Sequence, residues 1–196
     1  MIHSPSSVVE TPLDALSLFE GLKLFSMKKI GDERGYFAEL YHVGRYQAMG
    51  LPEALSFYQD NTSLSQQVGV LRGLHFQTKP FAQAKLITCL QGAILDVVVD
   101  IRTQSPTYGQ HVALVLSAEN ARQLWVPEGF AHGFCTLEPN TLITYKVTAP
   151  YAPECDKGLA WNDPALGIQW PFAPHQCQLS PKDTTHPNLE ALPAYF

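Results

Sequence analysis

Gly69-Val70-Leu71-Arg72-Gly73-Leu74-His75-Phe76-Gln77 reads as a β-strand that sets one arginine and one histidine close together. In an extended strand, side chains two apart share a face and the one between them points away. Leu71, Gly73, His75 and Gln77 are therefore expected on one side, with Arg72 pointing elsewhere. An imidazole on the concave face of a sheet serves as a base or a metal ligand, and a nearby guanidinium suits a phosphate. The choice between these chemistries rests on the rest of the chain.

Around this run the sequence shows short β-rich segments divided by turn residues: 22–29, 36–42, 68–77, 84–90, 93–101, 109–116, 121–126, 133–137 and 141–148. Even spacing of this kind favours a sandwich or closed barrel. The clearest strand is Ile94-Leu95-Asp96-Val97-Val98-Val99-Asp100-Ile101, ended by the turn-rich Thr103-Gln104-Ser105-Pro106-Thr107-Tyr108-Gly109. A short helix is expected within 45–55, weakened by Gly50 and Pro52. Residues 1–17 read as a tail or partner-contacting arm, and 18–196 as one domain. The proline-rich end after Trp161 is expected to wrap the barrel.

Charged residues make up 16% of the chain and the net charge is −5, which argues against non-specific affinity for nucleic acid or anionic membranes. An anionic ligand must then be held by a few placed arginines and lysines. Cys89, Cys135, Cys155 and Cys177 show no C-x-x-C spacing and the N-terminus lacks a signal-peptide pattern, so reduced thiols and a cytoplasmic location are expected.

Two blocks resemble the paired motifs of the cupins, which are jelly-roll barrels. Gly69 stands six positions before His75 and Gly92 seven after Lys85, while Pro127-Glu128-Gly129-Phe130-Ala131-His132 fits the second motif. The metal ligands are not kept: Gln77 takes the place of the second histidine, Lys85 that of the acidic ligand, and Thr136 that of the closing asparagine. An ammonium in the pocket repels a divalent ion, so the fold expected is an all-β cupin jelly roll with short peripheral helices and no catalytic metal. Without a metal, a base beside a fixed ammonium suits proton abstraction next to a carbonyl. Inversion at the carbon also needs a proton donor on the opposite face, and Tyr145 on a late strand is the phenol best placed, although ordinary packing would also account for it.

Further segments resemble the dTDP-4-dehydrorhamnose 3,5-epimerases, dTDP-sugar epimerases of the cupin superfamily. They include Asp32-Glu33-Arg34-Gly35-Tyr36-Phe37-Ala38-Glu39, Gln59-Asp60-Asn61-Thr62-Ser63, Ala82-Gln83-Ala84-Lys85-Leu86, Tyr145-Lys146-Val147-Thr148, Trp161-Asn162-Asp163-Pro164 and Leu179-Ser180-Pro181-Lys182-Asp183. The matches run in order from Gly21 to Asp183. The chain departs from the pattern at Ala84, where glycine is common, and at Ile30, where an aromatic is often found.

The resemblance implies roles. His75 is the general base, oriented by Asp183; Tyr145 is the proton donor; Lys85 stabilises the enolate, and His132 adds a hydrogen bond. Arg34 and Arg72 match diphosphate contacts, and Glu39, Gln59 and Asn61 match nucleotide contacts from a neighbouring loop or subunit. Tyr151 matches the aromatic stacked on thymine, with Asp156 and Lys182 as weaker contacts. It further implies no cofactor and a two-fold homodimer. The reaction implied converts dTDP-4-dehydro-6-deoxy-D-glucose to dTDP-4-dehydro-L-rhamnose. Epimerisation at C3 or C5 alone, or a non-catalytic sugar-nucleotide-binding cupin, are the alternatives.

Overall fold

The computed structural model describes residues 8–196. Its strands are β1 (Lys23–Ser26), β2 (Lys29–Asp32), β3 (Gly35–Ala38), β4 (Gln59–Ser65), β5 (Leu71–Gln77), β6 (Lys85–Gln91), β7 (Ala93–Asp100), β8 (His111–Ser117), β9 (Arg122–Val126), β10 (Phe130–Thr136), β11 (Thr141–Val147) and β12 (Asp156–Gly158). Two antiparallel five-stranded sheets, ordered β1-β9-β6-β11-β4 and β12-β5-β10-β7-β8, form the cupin-like jelly roll, and β2-β3 make a separate ribbon.

Every residue of β7 is buried, and the reason is that both of its faces are covered. Ile94 and Val98 join Ile87, Leu114, Leu124, Phe134 and Ile143 between the sheets. Leu95, Val97 and Val99 face outward, where Leu74, Phe76 and Leu159 and the chain end at Tyr195 and Phe196 cover them. The expected wrapping by the C-terminal segment is thus observed. Burial of each such aliphatic side chain contributes about 1.5–3 kcal/mol, and the chain end is what makes the outer face of β7 count.

The expected helix is shorter and earlier, α1 at Val43–Ala48; Gly50, at φ +96°, turns the chain away ahead of Pro52. The expected strand over 22–29 divides into β1 and the start of the β2-β3 ribbon, and β10 begins at Phe130 rather than Gly133. β4 and β12 escaped the sequence reading. β4, Gln-Asp-Asn-Thr-Ser-Leu-Ser, is a polar edge strand held by register with β11, so it carries little apolar signal.

Regular structure begins before Leu18. A 3-10 helix spans Leu13–Leu18 and buries Leu16 in the inter-sheet core. Ahead of it the Thr11 N–H donates to the Ala113 carbonyl at 2.8 Å, and Thr11 Oγ1 accepts from the Ala113 N–H at 2.9 Å. The described part of the expected arm therefore lies along β8, and residues 1–7 fall outside the described residues. All four cysteines are free thiols. No helix among the described residues is long and apolar enough to cross a membrane.

Candidate active site

Strict alternation put Arg72 on the far side of β5 from His75, and the structure overturns that expectation. On β10, His132 pairs with His75 and Phe134 with Arg72, so two steps on β10 span three on β5. The extra residue is a bulge at Gly73 and Leu74, and a bulge resets which side chains share a face. Leu71 now packs outward against Trp161 and Phe172, whereas Arg72 and His75 line one cavity together. Only glycine fits the bulge: Gly73 has φ +138°, and a Cβ there would lie 2.5 Å from the Gly133 Cα.

The two sheets enclose adjoining cavities of about 470 and 360 Å³, and both are walled by His75, Lys85 and Tyr145. The smaller also contains Arg72, His132, Ser180 and Asp183. The larger contains Gln59, Asn61, Tyr151, Asp156 and Lys182. His75 comes from one sheet, Lys85 and Tyr145 from the other. A ligand between them meets an imidazole on one side and a phenol and an ammonium on the other.

His75 is tied down from behind. Its Nε2 lies 2.6 Å from Asp183 Oδ1. Asp183 is buried; Oδ1 also accepts from the Gly73 N–H at 3.3 Å, and Oδ2 accepts from the Ser180 hydroxyl at 2.7 Å. Burial pushes the Asp183 carboxyl up, but the hydrogen bonds from His75 and Ser180 outweigh it and hold the group at about 2. An ionised carboxylate only accepts hydrogen bonds, so in the neutral ring Nε2 carries the proton and Nδ1 keeps its lone pair. Asp183 reaches β5 from a 3-10 turn at Lys182–Thr184, 108 positions along the chain from His75.

Burial lowers the Lys85 ammonium to about 8, with Asp156 and Asp96 opposing that shift. Burial raises the Tyr145 phenol, with Arg72 partly offsetting it. At neutral pH the lysine is mostly charged and the phenol keeps its proton. His132 Nε2 lies 2.9 Å from Asp96 Oδ2; this aspartate is wholly buried, and its Oδ1 has no hydrogen-bond partner. Asp96 was overlooked, yet it is the lone charge within an apolar run, Ile-Leu-Asp-Val-Val, which is the signal of a buried polar partner. Ser180 was overlooked as well, although its spacing to Asp183 is that of a turn-capping pair.

Gln77 is buried and lines the larger cavity. Its amide donates to the carbonyls of Phe81 and Pro150 at 2.6 and 3.1 Å and accepts from the Ala152 N–H at 2.9 Å. Beside it, the Tyr151 hydroxyl donates to Asp156 at 3.1 Å, Lys182 pairs with Asp156, and Gln59 bonds Asn61 at 2.6 Å. Arg34 and Glu39 stand apart from this group within one chain. Arg34 is exposed on the β2-β3 ribbon and paired with Asp32, and Glu39 pairs with Arg45 at 2.9 Å.

The family model described as dTDP-4-dehydrorhamnose 3,5-epimerase matches residues 17–191. A Sinorhizobium fredii protein of that name is 51% identical over 187 residues, covering 95% of this chain and 94% of its own. A Bacillus anthracis dTDP-4-dehydrorhamnose 3,5-epimerase solved with TDP and PPi bound is 48% identical, with a TM-score of 0.83 over 87% of this chain and 95% of that one. A Legionella pneumophila dTDP-6-deoxy-D-glucose-3,5-epimerase in complex with dTDP-4-keto-L-rhamnose is 44% identical, with a TM-score of 0.84 over 96% and 95%.

Proposed function

Because the chain belongs to the dTDP-4-dehydrorhamnose 3,5-epimerase family, we propose that its two cavities seat one dTDP-linked 4-keto sugar and that His75 and Tyr145 invert its carbons from opposite sides. The enzyme is an isomerase that converts dTDP-4-dehydro-6-deoxy-D-glucose to dTDP-4-dehydro-L-rhamnose. The observation that carries the mechanism is the placement of a carboxylate-backed imidazole on one sheet opposite a protonated phenol on the other.

Both C3 and C5 flank the C4 ketone, so their hydrogens are acidified by it. His75 Nδ1 removes one of them, and the electron pair moves to the C4 oxygen. The Lys85 ammonium meets the charge where it develops, and His132, whose Nε2 is held by Asp96, lines the same cavity beside it. Tyr145 then delivers a proton to the opposite face, which inverts the carbon. The imidazolium releases its proton to solvent and the phenolate regains one, so the chain ends unchanged. Acid–base catalysis by placed groups contributes roughly 10² to 10⁴ in rate.

Arg72 reaches the smaller cavity from the same strand as His75 and grips the diphosphate, for which its fork is suited. The nucleotide lies toward Gln59, Asn61, Tyr151, Asp156 and Lys182. Arg34 and Glu39 act from a second copy in a homodimer, which accords with their place outside the cavity of their own chain. The test is incubation with substrate in D₂O and NMR of C3 and C5. Label at both carbons, lost in His75→Ala with dTDP affinity kept, is expected. Label at a single carbon would establish a mono-epimerase, and binding without label a non-catalytic cupin.

A further inference from the structure

Behind His75 lies a side chain with no part in this chemistry. The His186 ring packs edge-on against the His75 ring, with centroids 5.5 Å apart and planes at 81°. It fits because its neighbour on β12 is Gly158: a Cβ there would lie 2.3 Å from His186 Nε2. That nitrogen is buried and has no hydrogen-bond partner. Donor atoms of His75, Asp183 and His186 all lie within 4.8 Å of one another.

We propose that His75, Asp183 and His186 form a site for a divalent transition metal, Zn²⁺ above all, whose occupancy switches the enzyme off. Two imidazoles and a carboxylate are a donor set that zinc favours, and the adjoining cavity leaves a fourth position for water. With bonds of about 2.0 Å, tetrahedral donors stand roughly 3.3 Å apart, so the three groups, whose donors now lie within 4.8 Å of one another, draw together on the ion. The Lys85 ammonium, which excludes a metal from its own position, stands on the opposite sheet from His75, and the ammonium of Lys182, which lines the larger cavity, is already paired with Asp156. The metal takes the place of the proton between His75 Nε2 and Asp183 Oδ1. A neutral imidazole metallated at Nε2 carries its one proton on Nδ1, so that proton moves across the ring and the base loses its lone pair. No electron transfer and no further reactant are involved.

The inhibition rests on His75 being the base; the binding does not. The test therefore has two readouts, on the wild type and on His186→Phe, which keeps the ring contact and removes the donor. Calorimetric titration with Zn²⁺ should give one ion per wild-type chain and at least tenfold weaker binding to the variant. Deuterium exchange into the substrate should proceed in both metal-free proteins, stop with Zn²⁺ in the wild type alone, and return on chelation. Absent stoichiometric binding, equal binding to the variant, or binding without loss of exchange would each overturn the proposal. If metal-free wild type fails to exchange, the base assignment falls while the binding result still stands by itself.

Discussion

Arg72 and His75 project into one cavity although three positions separate them on a strand, because the bulge at Gly73 and Leu74 absorbs one residue against β10. This places a guanidinium fork and an imidazole on a single rigid element, and a site built on strands holds its geometry better than one on loops.

Replacing Gly73 should break that relationship. In Gly73→Ala the new Cβ meets the Gly133 backbone at 2.5 Å and the φ of +138° is strained for any side chain. A loss of about 2–4 kcal/mol in urea unfolding is expected, together with loss of exchange activity. An unchanged midpoint would show that the bulge tolerates a side chain.

Tyr145→Phe should separate proton removal from inversion. His75 can still take a proton and return a solvent one to the same face, so deuterium is expected to enter the substrate while the epimerised product falls by about 10² or more. Inversion at the wild-type rate would remove Tyr145 from its role.

Lys85 gives the pH dependence. Because burial lowers it to about 8, the turnover rate should decline as pH rises through that value, as the ammonium opposite the enolate is lost. In Lys85→Arg the decline at about 8 should disappear, since a guanidinium keeps its charge. For stability the sign is the reverse. Between about 8 and the ordinary 10.5, the unfolded chain binds a proton that the folded one does not, so this group makes folding more favourable as pH rises. Lys85→Met should accordingly be more stable than wild type at pH 7, and a less stable variant would contradict the burial cost assigned to the ammonium.

Asp96→Ala leaves the His132 Nε2 without its partner in a buried position. A loss of about 1–3 kcal/mol is expected, with Asp96→Asn retaining part of it because the amide oxygen still accepts. Equal stability of the alanine variant and wild type would mean that His132 finds another partner.

Local patterning was enough for some of this. The apolar block of β7, the glycine-bounded strand around His75 and the Pro-Glu-Gly turn before His132 are short-range features, and they carried the all-β reading and the two motifs. Lys85 and Gln77 at the places of metal ligands are visible as residue types, and the expectation of a base in place of a metal rests on them. β4 and β12 were not legible, because each polar edge strand is held by hydrogen bonds to a neighbour far along the chain, and its own composition says little. The helix within 45–55 was placed too late for a related reason: its end is set by Gly50, its start by the His42 cap.

What the linear order determined is which groups are available: the imidazoles of His75 and His132, the phenol of Tyr145, the ammonium of Lys85 and a distant carboxylate. What the tertiary structure decided is which of them share a space. Asp183 meets His75 across 108 positions, Asp96 meets His132 from the adjacent strand, His186 lies against His75 because Gly158 yields room, and Arg72 turns inward. Each of these depends on strand register and close packing between distant segments, and a single residue inserted at a bulge reverses the face that alternation assigns.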